Sequence, residues 1–461
     1  MFADTLPLFR LTDDSRRLLV WRNTEWSVGA LRGAAHALAE ELPVGQRVLV
    51  ACDDRASFLW AVLACWSARR TVVLPPPDLS HLLSAAGQTY FDCVITDRSD
   101  LAVSAGHSVK RIDSTALLDA LARARPRNRT DVLRASHVAA IFFTSGSTGV
   151  PVAQTKTWRQ LVETAAAMSD LLGMRDLHPL LGGTVVHSHM FGFEMLVLQA
   201  LQGSASVYAS RIVYPSDMVA FAAMENSQKW LVTTPYHLGV FAEAAQWTTG
   251  LRRIVSATMP LDVALAATIE AATDAEVHEI YGSTEVGCIA TRRTTAGDVW
   301  RPASDIRLSI DSDGVSHLHA RRVGSLRLSD RIELRADGFR LLGRDSDLVK
   351  VAGKRASLQG LTQVLRGIDG VKDGCFVDGA RIGQKRLAAL VVAPGMSSKS
   401  VREALASMID ATFLPRPLLL VDELPRDANG KLRLDHVLWS APRAPESPEP
   451  AIVEARLSDA S

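Results

Sequence analysis

Cysteine is scarce and scattered: Cys52, Cys65, Cys93, Cys288 and Cys375 are the only five in 461 residues. No two form a C-x-x-C pair, which argues against a zinc ribbon or a disulfide framework and suits a reducing cytosol. Net charge is almost nil, with 51 Lys plus Arg against 50 Asp plus Glu and a formal charge of +1. Such a chain has no global field to hold a polyanion, so nucleic acid is not an expected partner. No long apolar run exists; the longest, around Phe58 to Trp66, is far too short to span a bilayer, and membrane insertion is not expected. The opening MFADTLPLFRLTDD has acids where a signal peptide needs a basic and then an apolar run, so the expected location is cytoplasmic. Internal repeats, a Walker A pattern and a G-x-S-x-G elbow are all missing, and the last absence leaves serine-hydrolase chemistry little support.

What is present is the composition of a globular protein, 47% hydrophobic and 22% charged, in a chain long enough for two or three domains. Short apolar runs alternate with Ala/Leu-rich stretches. RVLVACDD (47–54) and TVVLPPP (71–77) read as strands, with ASFLWAVLACWSAR (56–69) as the helix between them. Further strands are expected at 93–96, 139–145, 183–188, 205–210, 230–235, 253–258 and 277–282, and helices at 157–173 and 260–273. This alternation predicts α/β layers with a largely parallel sheet, in which ligands collect beyond the strand C-termini.

From about residue 297 the texture changes. Alternating apolar and polar residues with D-G turns at 313–314 and 337–338 read as antiparallel hairpins. A small α+β unit follows, with helices at 358–367 and 398–413 and strands near CFVD and at 387–392. The Pro- and Glu-rich stretch 441–461 reads as a loose tail. The expected division is 1–343, with its β-rich part from about 297, then 344–440 and the tail.

Two stretches carry the chemistry. In IFFTSGSTGVP (141–151) an apolar strand runs into Thr144, Ser145, Gly146, Ser147, Thr148 and Gly149, and a helical stretch is expected next. Glycines let backbone N–H groups converge on an anion, and hydroxyls add donors, so this is a phosphate cradle. In IYGSTEVG (280–287), Tyr281 offers a flat face for a purine, Thr284 a hydroxyl for a phosphate, and Glu285 a carboxylate suited to Mg²⁺. His187-x-His189 in HSHMFGFE lacks the further ligands a metal site needs. On the residues alone, a buried, hydrogen-bonded histidine is a credible reading.

The two motifs resemble those of the acyl- and aryl-adenylating superfamily, which includes acyl-CoA synthetases, nonribosomal adenylation domains and luciferases. The family loop is T-S-G-[ST]-T-G-x-P-K; here Val152 stands at the lysine position and the nearest basic residue is Lys156. In the resemblance, Tyr281 stacks on adenine, Thr284 meets the α-phosphate and Glu285 helps hold magnesium. SATMPL (256–261), with Ser256, Ala257 and Thr258, forms the adenine pocket wall. Asp330, in L-S-D rather than T-G-D, takes the ribose hydroxyls, and Arg344 faces ribose and phosphate. His189, Phe191, Tyr236, Met259 and Gly282 border the acyl pocket. Asp345 and Ser346 form the hinge, Gly353 and Arg355 lie by the thiol arm and the phosphates, and Lys431 in LPRDANGKLR is the catalytic lysine. Ser283 completes the small-residue turn.

The resemblance covers about residues 20 to 440. It implies a large N-terminal domain binding ATP and acid, and a small mobile lid that carries Lys431 in for adenylation and out for thioester formation. QTKTW, HMFG and VAGKRASL look most similar to compact ligases of aryl-polyene and xanthomonadin-type pigment synthesis, which load a hydroxybenzoate-like acid onto acyl carrier protein. CoA is the alternative acceptor. Arg366, Lys372 and Arg381 are candidate contributors to a carrier-facing patch, although solvated surface charge is the default for such residues. A non-catalytic nucleotide-binding relative is the alternative of another class: Val152 and L-S-D support it, and the joint presence of Glu285, Asp330, Arg344 and Lys431 opposes it.

Overall fold

The computed structural model describes residues 4–76, 79–84, 87–103, 106–124, 131–145, 151–225, 228–244, 249–344, 348–351, 354–382, 384, 386–426 and 432. The chain divides into two compact units, one of residues 1–307 and 319–326, the other of 308–318 and 327–461.

Two large sheets build the first unit. The six-stranded sheet runs Pro151–Thr157, Val138–Ser145, Thr71–Val73, Arg47–Ala51, Cys93–Thr96, Ser108–Arg111. Every neighbour pair in it is parallel except the first, which is antiparallel. The nine-stranded sheet runs Arg301–Pro302, Gly287–Arg293, Glu276–Ser283, Leu251–Ser256, Lys229–Thr233, Leu180–Gly183, Ser206–Arg211, Arg17–Trp21, Thr24–Ser27. Its six inner strands, from Glu276–Ser283 to Arg17–Trp21, are parallel. The α/β architecture with largely parallel sheets is therefore the one the apolar runs predict.

Helix Arg55–Ser67 is apolar on every side, and Arg55 through Trp66 are all buried, as expected of a helix enclosed by other layers. Asp54 caps it by accepting from the Ser57 N–H. At the helix start, the buried Arg55 guanidinium donates to the carbonyls of Tyr208 at 2.9 Å and Gly183 at 3.1 Å. It thereby ties this helix to two strands of the nine-stranded sheet. Trp66, Trp158, Phe142 and Phe193 pack ring on ring, with centroids 4.9–6.0 Å apart.

Two local expectations are corrected. The stretch after the Ser/Gly loop is not yet helical: Pro151–Thr157 returns as an antiparallel strand, and the helix begins only at Trp158 with a Thr157 capping box. The strand expected over 183–188 is Leu180–Gly183, and the chain turns away after it. Val185 and Val186 look strand-like, but the Val186 carbonyl accepts the His189 N–H, and Gly192 packs so tightly against it that a Cβ there would stand 2.1 Å away.

In the second unit the two expected D-G turns are present. Asp311 accepts the N–H groups of Asp313 and Val315 around Gly314 at φ +77°, and Asp330–Arg335 pairs with Gly338–Arg344. Helix Leu358–Arg366, capped by Ser357, buries Leu358, Leu361 and Leu365 on one face. These pack over the sheet of Asp373–Val377, Ala388–Val392 and Leu418–Leu420. The last expected helix ends at Met408, and Asp410 restarts the chain in a short 3-10 turn.

Candidate active site

Side by side in the nine-stranded sheet, Leu180–Gly183, Lys229–Thr233, Leu251–Ser256 and Glu276–Ser283 run parallel, so their C-terminal ends share one edge. The segments leaving that edge carry His189, Tyr236, Ser256 to Met259 and Tyr281 to Glu285. Sheet topology thus gathers candidates spread over almost a hundred positions, at the place where open parallel sheets bind ligands.

On the last of these strands, the Tyr281 ring stands 5.8 Å from that of Trp300, at 60°. Gly282 has no alternative, since a Cβ there would stand 2.6 Å from the Gly287 carbonyl oxygen. Ser283 Oγ accepts the Val286 N–H at 3.3 Å and closes the turn. Thr284 is half-buried and the Glu285 side chain is exposed. Gly287, at φ +82°, returns the chain into the antiparallel strand Gly287–Arg293.

The adenine-wall candidates follow Leu251–Ser256. Ser256 is fully buried and its hydroxyl has no hydrogen-bond partner among the described residues. Ala257 donates its N–H to the Thr233 carbonyl, Thr258 is exposed at φ +83°, and Met259 is half-buried. Sequence reasoning missed the residue that anchors this segment. The buried carboxylate of Glu279 accepts the Leu261 N–H at 2.9 Å, Arg292 at 2.7 Å and Thr294 at 3.1 Å. Arg292 also covers the Trp300 ring at 4.7 Å. Only the pleat could have signalled it: Glu279 stands two residues after Val277, on the same buried face.

The Ser/Gly loop joins two antiparallel strands. Thr144 stands opposite Val152 in register, and its hydroxyl donates to the Val152 carbonyl at 3.4 Å. Ser145 pairs with Pro151. Gly146, Ser147, Thr148 and Gly149 lie outside the described residues. Lys156, the nearest cation after Val152, is buried, and its ammonium donates to the main-chain carbonyl of Glu285.

Beneath the 284–288 turn lies a group of buried charges that no sequence pattern announced. Burial pushes the Lys156 ammonium down to about 8, although the nearby Glu194 and Glu285 favour its charge. Burial pushes the Glu194 carboxyl up to about 7 against the pull of Arg322 and Lys156. Arg322 donates to the carbonyls of Val286 and Cys288 and to Asp305 Oδ2 at 2.6 Å.

Around the acid-pocket candidates, His189 is half-buried at the head of the Met190–Phe193 helix, Phe191 is buried and Tyr236 is exposed. His237, beside Tyr236, bonds the Thr234 hydroxyl at 2.8 Å, and burial lowers it to about 4. His187 takes the buried-histidine reading. Its Nε2 lies 2.9 Å from the Cys52 carbonyl, its ring packs on Phe58, and burial with the Arg55 charge lowers it to about 3.

Within the second unit, Asp330 and Arg344 are register partners across one hairpin. Asp345, Ser346, Gly353 and Lys431 lie outside the described residues, as do the side chains of Arg344 and Arg355. Arg366 is committed locally, pairing with Asp373 at 3.0 Å and donating to the Gly374 carbonyl; Lys372 is exposed, and the Arg381 side chain is outside the described set.

A sequence model of the family of AMP-binding enzymes matches residues 16–326. The 4-coumarate–CoA ligase of Rhodobacter capsulatus is 29% identical over 320 residues, which cover 65% of this chain and 76% of that protein. Phosphinothricin tripeptide synthetase of Streptomyces viridochromogenes is 26% identical over 90% of this chain, which spans 42% of that protein. The fold is shared with O-succinylbenzoate CoA synthetase from Bacillus subtilis, solved with ATP and a magnesium ion. That likeness has a TM-score of 0.76 at 19% identity, over 93% of this chain and 98% of that one. Among the described residues no helix is long and apolar enough to cross a membrane.

Proposed function

The chain belongs to the AMP-binding enzyme family, ATP-dependent ligases that adenylate acids, and from that premise we propose that it passes the activated acyl group to a phosphopantetheine thiol. A carboxylate oxygen of the substrate attacks the α-phosphorus of ATP, the bond to the β-phosphate oxygen breaks, and pyrophosphate leaves. The thiol sulfur then attacks the acyl carbon, the bond to AMP breaks, and the thiol proton goes to solvent. In the first step charge builds on the α-phosphate, where Thr284 and the Lys431 ammonium stabilise it. The 144–149 loop holds the outer phosphates. Ser256 to Thr258 and Tyr281 frame the adenine, and Asp330 with Arg344 take the ribose. Asp345 and Ser346 form the pivot of the lid, and Gly353 and Arg355 line the approach of the thiol.

Magnesium fits the residues present. Glu285 offers an exposed carboxylate oxygen on a turn whose main chain is held from below, which suits a hard cation. Bound there, the ion would neutralise phosphate charge.

One observation carries the reading: four adjacent parallel strands deliver the adenine-wall, Y-G-S-T-E and acyl-pocket segments to one edge. Phe191, Tyr236 and Met259 at that edge favour an aromatic acid such as a hydroxybenzoate. Acyl carrier protein is the acceptor we favour, and the likeness to 4-coumarate–CoA ligase supports CoA as the second reading. Thioester formation from a panel of aromatic acids, with CoA and holo-carrier protein compared at equal thiol concentration, tests both. Faster acylation of the carrier supports the first reading, faster acylation of CoA supports the second, and thioester with neither contradicts the transfer step.

A further inference from the structure

Carbonyls at three positions of the 285–288 turn, those of Glu285, Val286 and Cys288, are held by two buried cations that come from distant parts of the chain. Lys156 reaches the Glu285 carbonyl from the edge strand of the six-stranded sheet. A bulge between Lys156 and Thr157 offsets the pleat at that point. Arg322 spreads its guanidinium over the Val286 and Cys288 carbonyls and is balanced by Asp305. Glu194, at the head of the π-helical stretch Glu194–Leu198, is buried close to the charges of Lys156 and Arg322. Its carboxylate fills the space over Gly287, where a Cβ would stand 2.4 Å from Oε1. Two cations and two carboxylates thus enclose a turn whose own carboxylate, that of Glu285, points to solvent.

The energetics give this arrangement a purpose. A buried carbonyl left unpaired is destabilising, and a hydrogen bond from a charged donor contributes more than one from a neutral donor. Neutral donors would satisfy the same carbonyls without burying an ammonium, which is expensive. What the ammonium adds is reach. Lys156 stands four residues past Val152, on the strand that closes the Ser/Gly loop, so its bond to Glu285 fixes that hairpin against the Y-G-S-T-E turn.

We propose that Lys156 and Arg322 are positioning residues for adenylation: they set the 284–288 turn, which presents Glu285 and Thr284, against the strand Pro151–Thr157. Lys156 acts through the main chain of Glu285 and does not touch phosphate. This rests on the adenylating reading above. It also gives a role to the cation nearest Val152, the residue at the family's lysine position: Lys156 serves the main chain of the 284–288 turn.

The test compares wild type with Lys156→Met, Lys156→Arg and Lys156→Met/Val152→Lys. Binding of a non-hydrolysable ATP analogue is measured by calorimetry with and without magnesium, alongside acid-dependent pyrophosphate exchange. Losing one charged hydrogen bond that orders the turn predicts that Lys156→Met binds the analogue without magnesium within about threefold of wild type, loses most of the magnesium-dependent gain, and shows about tenfold or more lower exchange kcat. Lys156→Arg restores a charged donor and most of the exchange; Val152→Lys restores nothing. Overturning results are Lys156→Met matching wild type in both measurements, or a tenfold loss of magnesium-free binding that Val152→Lys repairs, which would make Lys156 a phosphate ligand. Should Lys156→Met not fold, Lys156→Gln keeps a neutral donor and must show the same loss of magnesium gain. A wild type that neither binds the analogue nor exchanges defeats the adenylating reading, and this inference with it.

Discussion

The carboxylate of Glu279 accepts the main-chain N–H of Leu261 at 2.9 Å, so a single buried side chain fixes the 256–261 segment to the strand that carries Tyr281. The two segments proposed as walls for a nucleotide base therefore share one anchor, itself braced by Arg292 and Thr294. Glu279→Gln keeps the shape and removes the charge. Charge-assisted bonds of this kind contribute about 1.5–3 kcal/mol, so KM for ATP in pyrophosphate exchange should rise about tenfold. The acid's KM should move much less. An unchanged KM for ATP would show that the anchor is not needed to shape the base site.

In the proposed scheme Lys431 separates the two half-reactions. Lys431→Ala should abolish acyl-adenylate formation and leave thioester formation from preformed acyl-AMP largely intact, because the ammonium is needed where phosphate charge accumulates. Both steps are followed by separating the nucleotides and the thioester chromatographically. Equal loss of the two would remove the lid-gated scheme.

How much of this was legible in the sequence follows from the range of the forces involved. Apolar runs gave away the parallel strands, because strands covered on both faces must be apolar throughout: Arg47–Ala51, Cys93–Thr96 and Leu251–Ser256 stand where RVLV, CVIT and RIVS predicted. The Y-G-S-T-E turn was legible because few other residues tolerate such close backbone approach; Gly282 against the Gly287 carbonyl is the instance. The helix expected at 157–173 is present as Trp158–Leu171, but the strand Pro151–Thr157 before it was missed because its pleat is unremarkable in sequence, and Lys156, which looks like a surface residue, points inward. Glu194, Glu279 and Arg322 escaped notice for the same reason. Their partners lie far away in sequence, and no local pattern marks a charge that a distant segment will cover.

Gly287 should not tolerate a side chain. Its φ of +82° is strained for any L residue, and a Cβ would meet Glu194 Oε1 at 2.4 Å. Gly287→Ala is expected to cost about 1–3 kcal/mol, read as a lower urea midpoint at unchanged slope. A midpoint equal to that of wild type would contradict the packing described.

His187 should make the fold acid-sensitive. Its value is 6.5 when free and is lowered to about 3 by burial and the Arg55 charge. Between those limits the unfolded chain holds a proton that the folded one does not, so stability is full above 6.5 and declines as pH falls towards 3. His187→Gln retains a donor for the Cys52 carbonyl and removes the titration. Urea unfolding at a series of pH values should therefore give the variant a shallower decline from pH 6.5 downward, and a slope equal to that of wild type would contradict a buried neutral imidazole.

The most direct test of acid adenylation is exchange of radiolabelled pyrophosphate into ATP, measured with magnesium across a panel of aromatic and small aliphatic acids. Label should enter ATP only when a suitable carboxylic acid is present, and an aromatic acid should support the fastest exchange. Exchange that proceeds equally without any acid, or none with every acid at concentrations where ATP binding is demonstrated, would contradict it.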